Sequence, residues 1–281
     1  MFGDPASFLR QFADTYLPAY SVGWTNVDGT LVKPTGDEIA RVKMSPEIGK
    51  PIALAYACGQ HDAQDILVRA SYRQLMGEMY CQYRFVTEAL DVRITPYFGE
   101  GEPYEDSDAM RADVADNNHL YFLTTTDDAF GSGWGDVSGN WMGQTTGVRI
   151  DGYEMLVNDM FRAVHDFFGH AVPGTSFSAN GEERAWFCHS QMCSPLARVA
   201  LTTETRGQNT WVNFGPHMQD EAGNVRKQSD QDWLPPRDRP FADQKNMILS
   251  EEISGVRLYC DQMGAVQAHL LPETFGRPEF V

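Results

Sequence analysis

The run Asn158-Asp159-Met160-Phe161-Arg162-Ala163-Val164-His165-Asp166-Phe167-Phe168-Gly169-His170-Ala171-Val172-Pro173 decides how this chain is read. Met160, Phe161, Val164, Phe167 and Phe168 recur at near-helical spacing. With Met155 and Leu156 they predict a helix over 153–171. Two histidines and an acid, Asp166, sit inside that apolar helix. Polar groups so placed need partners, because burying one unpaired costs on the order of 1 to 3 kcal/mol. A metal ion would satisfy both rings, neutral imidazole being the commonest ligand among side chains. Two core histidines bonded to backbone, with Asp166 exposed, are the plainer alternative.

The spacing sets a condition on that chemistry. On a regular α-helix, residues five apart are separated by roughly 140° around the axis. His165 and His170 therefore converge only where the helix ends or loosens. Gly169 stands directly before His170, and Pro173 pushes Val172 out of helical geometry. The expectation is a helix terminus that brings both rings to one point.

Working outward, Ser178 or Asn180 caps a second helix running to about Cys193, with Glu182 and Glu183 in its first turn. Glu182 and His189 are seven apart on one face of it. Ser194-Pro195 opens a third helix through Leu196 to Thr205. Upstream, 61–90 reads as a long helix carrying Glu78 and Gln82 one turn apart, and 5–19 as a short amphipathic one. Two strands, 91–95 and 119–124, flank a helix over 107–117. The stretch 131–147 holds six glycines and reads as a loop. Residues 206–243 are polar and Pro-rich, and two apolar segments, 245–254 and 256–271, close the chain. The fold class is mainly α with a small β-sheet (α+β). Residues 1–60 form a segment packed on the core, and 61–281 a single helical metal-binding catalytic domain.

The chain has 281 residues, with 22 Lys and Arg against 39 Asp and Glu, a formal charge of −17. Such a balance repels phosphate backbones and argues against nucleic-acid binding. No stretch approaches the roughly 18 to 20 apolar residues of a membrane helix, and no secretory signal is legible. Five scattered cysteines, an odd number, suit reduced thiols and a cytoplasmic location. Cys188 and Cys193 are wrongly spaced for a zinc knuckle. The expected partner is a small molecule, and homo-oligomerisation is left open.

His165-Asp166-Phe167-Phe168-Gly169-His170 resembles the His-Glu-x-x-Gly-His motif of the aromatic amino acid hydroxylases, non-haem iron enzymes. Their later helix opens on Leu-Ala-Arg and closes on Thr-x-Glu-x-Gly; Leu196-Ala197-Arg198 and Thr202 to Gly207 are similar, with the acid one residue early. The resemblance implies a helical catalytic core like that family's. It implies His165, His170 and Glu204 as ligands of Fe(II), with Asp166 as the acid beside them. A two-histidine, one-carboxylate set with open positions is also what oxygen-activating Fe(II) generally takes. Glu183 and His189 are alternative third ligands; Zn, Mn or Mg are alternative metals, and use of a pterin is left open.

Asp166, Glu183 and Arg206 are the candidate catalytic side chains. Residues 206–214 mix donors with aromatic faces, the composition of a pocket wall. Trp186, Trp211 and Phe214 are expected to exclude water and orient a planar substrate. The functional expectation is a non-haem metal-dependent hydroxylase. His165-Asp166 also resembles the signature dipeptide of HD-domain phosphohydrolases, with His61 or His119 as the upstream histidine. Asn158 to Gly215 further resembles proteins of tailed bacteriophages. That likeness implies an origin and no activity, and keeps a virion or interaction role as a third alternative.

Overall fold

The protein is described here from a computed structural model, over residues 36–126, 139–271 and 279–280. The helix expected over 5–19 and most of the glycine-rich stretch lie outside them. In chain order the elements are α1 (Gly36–Arg41), β1 (Val42–Lys43), α2 (Pro46–Cys58), α3 (Ile66–Arg84), β2 (Arg93–Tyr97), α4 (Ser107–Asn117) and β3 (His119–Leu123). There follow β4 (Thr145–Ile150), β5 (Tyr153–Leu156), α5 (Val157–His165), α6 (Ala179–Ser190), α7 (Pro195–Thr202) and α8 (Gln208–Phe214). The chain closes with α9 (Glu251–Ser254), β6 (Val256–Cys260), β7 (Val266–Leu270) and β8 (Glu279–Phe280). Three helices run on into π-helical turns: α3 into Phe85–Ala89, α5 into Asp166–Ala171 and α7 into Thr203–Gly207.

The class is α+β, mainly helical. The strands form two-stranded pieces: β2 with β3 parallel, and β1–β8, β4–β5 and β6–β7 antiparallel. A parallel pair needs a crossover, and α4 supplies it between β2 and β3. The stretch expected as one helix from Tyr153 begins as a strand. Tyr153–Leu156 pairs with β4, and α5 starts only at Val157, where the Asp159 carboxylate accepts the Leu156 N–H at 2.8 Å. Beyond Thr205 the chain stays helical to Phe214, because the π-turn leads into α8 without a break.

Capping follows the sequence closely. Asp65 accepts from Leu67 and Val68 N–H at the start of α3, Ser178 from Gly181, and Ser194 from Ala197. The main core joins Tyr72, Leu75, Met76 and Met79 of α3 to Met160, Val164 and Phe168 of the α5 segment and Leu201 of α7. Two polar residues of α3 face inward with them. Glu78 accepts the Ser194 N–H at 2.9 Å, and Gln82 reaches towards α6. Among the described residues no helix is long and apolar enough to cross a membrane, and all five cysteines are free.

Helix α2 packs against α8 so closely that a Cβ on Gly49 would stand 2.3 Å from the Phe214 ring. Replacing Gly49 by Ala is therefore expected to destabilise the fold by about 1 to 3 kcal/mol, the usual cost of overpacking. Urea denaturation measures this; an unchanged midpoint would mean that α2 does not seat on α8 in this way.

Candidate metal centre

Val172 N–H bonds to Phe167 O at 2.9 Å, five residues back. A turn closed in this way carries one residue more than an α-turn, so residues five apart stack on one face. Convergence of His165 and His170 thus comes from a π-turn, not from the helix terminus expected at Gly169. The glycine has a steric role instead. A Cβ there would lie 3.1 Å from the Ala185 Cβ and 3.1 Å from the His165 ring. Its absence lets the imidazole lie against the turn and α6 pack beneath it.

The two rings meet edge to face, centroids 5.2 Å apart. Each presents Nε2 to a single oxygen of Glu182, at 3.8 Å from His165 and 3.5 Å from His170. The three ligand atoms lie within 4.8 Å of one another. Those separations exceed an N–H···O hydrogen bond and bracket a shared ion. Two atoms each about 2.1 Å from one tetrahedral cation stand roughly 3.4 Å apart. Both histidines are buried, while the Glu182 side chain is 25% exposed, so the cluster opens on the Glu182 side.

Further contacts hold the rings. His165 Nδ1 meets His189 Nδ1 at 3.1 Å, and His189 Nε2 meets Gln82 Oε1 at 2.9 Å. His170 Nδ1 lies 3.0 Å from Thr175 Oγ1, whose hydroxyl donates to Gly169 O at 2.6 Å. Phe161 stacks on His165 with 7° between the planes, and half-exposed Phe177 stands edge-on to His170.

Carboxyls and imidazoles are strongly coupled in this cluster. Burial works against charge on Glu182, yet the two histidines outweigh it and hold its carboxyl well below the usual range. Burial likewise opposes charge on His170, but Glu182 and then Asp166 turn the net shift upward. Asp166 is pushed up by burial, with the histidines opposing and Glu182 adding like-charge repulsion. Burial, reinforced by His165 and His170, holds His189 well below its ordinary value, so it is neutral. Burial pushes up Glu102; Arg162 opposes this, while Asp166 and Glu182 add to it. A divalent ion would relieve this concentration of negative charge.

Glu204, expected as the third ligand, is held elsewhere. Its carboxyl meets Tyr72, Gln208 and Gln244 in a buried network on the π-turn Thr203–Gly207. Tyr72 Oη also lies 3.0 Å from Lys245 O, and one O–H cannot donate to both oxygens. Protonated, Glu204 donates to Tyr72, which donates to Lys245 O; ionised, it accepts from Tyr72 instead. Burial pushes this carboxyl up to about 7, against the pull of Tyr72, Gln244 and Gln208.

Other expected site residues are also redistributed. Glu183, adjacent to Glu182 but on the opposite side of α6, pairs with Arg206. Their Nε–Oε2 contact of 3.1 Å is a hydrogen bond, and the 2.8 Å Nη2–Oε1 approach is an ionic contact off the hydrogen-bonding line. His189 stands behind His165, its outer nitrogen taken by Gln82, and is not among the three converging ligand atoms. Trp186 is fully buried beneath the Arg206 guanidinium, Trp211 lies tilted against His217, and Phe214 packs with Met44 and Ala53. None of the three has a ring contact with the histidine pair. Of the two upstream histidines considered, His119 bonds Asp113 and Thr95, and His61 accepts the Asn246 N–H. Glu182 was legible as a first-turn acid seven residues from His189, but nothing local distinguishes its side of the helix from that of Glu183.

Comparison with protein-family models, with curated proteins and with solved structures gives no match.

Two outcomes follow from these contacts. Glu204 titrates near 7 in the folded protein against an ordinary 4.5. Its stabilising, protonated state is thus complete below the lower value and lost as pH rises through the upper one. Glu204→Gln, which mimics the protonated acid, should gain up to roughly 3 kcal/mol over the native chain between about pH 5 and about pH 8 in urea denaturation. A gain that does not grow with pH would place a charged Glu204 in the fold. Gly169→Ala should displace the His165 ring; cobalt affinity lowered about tenfold or more is expected, and unchanged affinity would contradict the role given to this glycine.

Proposed function

We propose that this chain is a non-haem metal-dependent enzyme in which His165, His170 and Glu182 hold one divalent cation, Fe(II) first. The reading rests on one observation: two buried Nε2 atoms face a single carboxylate oxygen at separations fit for a shared ion and too long for hydrogen bonds. Two nitrogens and one carboxylate leave coordination positions free, the donor set typical of oxygen-activating iron. Bound there, iron(II) would supply redox chemistry with dioxygen towards a small planar substrate, the activity class being hydroxylation.

The remaining roles fall to the chain itself. Phe161 and Phe177 give the histidines an apolar flank, and half-exposed Phe177 offers a ring face where a planar substrate would approach. Asp166, with its raised carboxyl, is placed to hold or release a proton beside the ligands. Arg162, one turn before Asp166 on the same helix, balances Asp166 and Glu102.

Asp166 also favours a second reading, metal-assisted hydrolysis of a phosphate ester, in which the same carboxyl would take a proton from water. In the HD-type form of that reading an upstream histidine is required, and His61 and His119 are both engaged elsewhere.

Metal analysis of the purified protein tests the centre. One equivalent of metal is expected in the native chain and in Glu204→Gln. His170→Ala and Glu182→Ala should each weaken binding more than about 100-fold, beyond the effect of changing a supporting residue. Equal metal content in all four proteins would overturn the ligand assignment. Oxygen uptake by the iron-loaded protein supports the hydroxylase reading; phosphate release with Mn²⁺ in its place supports the hydrolase.

A further inference from the structure

We infer that Gln82, His189 and Thr175 are positioning residues that fix the tautomers of both histidines, so that each Nε2 reaches the centre as a bare lone pair; this rests on reading the cluster as a metal site. Two separate hydrogen-bond chains lead to it. The first begins at α3. The Gln82 amide nitrogen faces Met192 O at 3.4 Å, so its oxygen is the atom turned to His189. An amide oxygen only accepts, and His189 Nε2 must therefore carry the proton across the 2.9 Å contact. Among the described residues His189 is fully buried with no carboxylate hydrogen-bonded to it, so it holds that single proton and has a lone pair on Nδ1. His165 Nδ1 stands 3.1 Å from it and must be the donor. Its proton thus sits on the nitrogen away from Glu182.

The second chain belongs to the turn itself. Thr175 has one hydroxyl proton, and the 2.6 Å contact with Gly169 O uses it. Towards His170 Nδ1, at 3.0 Å, that oxygen can only accept. His170 therefore also carries its proton on Nδ1. In the neutral form of both rings each Nε2 is left without a hydrogen, facing an oxygen of Glu182 that has none to give. Such an arrangement is completed by a cation, and the supporting groups select the ring nitrogen that binds it.

The logic singles out an isosteric change. A glutamate at position 82 would favour a doubly protonated His189, whose Nδ1–H would force His165 into the opposite tautomer and cover its Nε2. Cobalt(II) titration of the metal-free full chain reads the effect. Gln82→Glu and Thr175→Val should each lose about 10- to 100-fold in Co²⁺ affinity, while Thr175→Ser, which keeps the hydroxyl, should stay close to the native chain. Native binding with undiminished affinity in Gln82→Glu and Thr175→Val overturns the tautomer assignment and leaves the centre standing; a native chain that takes up no Co²⁺ removes the centre itself. Should a variant not fold, long-range ¹H–¹⁵N spectra of the metal-free native protein at alkaline pH decide. Nδ1–H at His165 and His170 with Nε2–H at His189 is expected, and Nε2–H at His165 or His170 contradicts it.

Discussion

The five-residue hydrogen bond that closes the turn after His165 is the constraint on which the centre depends. An α-helical ladder would put the two imidazoles on different sides of the helix, one in the core and the other turned away. One extra residue in the turn aligns them. That turn is a less favourable backbone than the helix it interrupts, and it persists because its surroundings specify it. Gly169 leaves room for the His165 ring, Thr175 binds back to the turn, and Phe167 and Phe168 are buried on its apolar side.

A second π-turn, Thr203–Gly207, solves a different problem. Its Glu204 and Arg206 point into two buried polar clusters, one with Tyr72, Gln208 and Gln244, the other with Glu183. These clusters tie the extended segment around Gln244 to Met247, and α6, to the helical core. Adjacent acids on α6 are thereby divided between tasks. Glu182 faces the histidines and stays charged, whereas Glu183 is sealed against a guanidinium. A single residue of offset on a helix is a rotation of about 100°, enough to place neighbours in unrelated environments.

Burial separates the carboxyls further. Glu182 sits between two imidazoles and is held well below its ordinary range, whereas Glu204, surrounded by neutral amides and a phenol, rises to about 7. Neutral partners satisfy hydrogen bonds without compensating charge, and a buried carboxyl among them keeps its proton. This is why Glu204, at the position implied by the hydroxylase-like motif, is enclosed in a neutral network here, whereas Glu182 is the carboxylate that faces the two imidazoles.

Several features were legible in the residues alone. The class of fold, the caps at Asp65, Ser178 and Ser194, the helix over 107–117 between two strands and the pairing of His165 with His170 all follow from local rules of periodicity, capping and polar burial. These rules act over one or two turns, and so the sequence carries them directly. The carboxylate that faces the histidine pair, the cause of the histidine convergence and the contact of Gln82 with His189 were decided only in three dimensions. Glu182, Glu183 and Glu204 are chemically alike, and Gln82 is 107 residues from His189, which it contacts. Which of them meets the site depends on how α3, α6 and the two π-turns pack, an outcome of long-range contacts that no local pattern encodes.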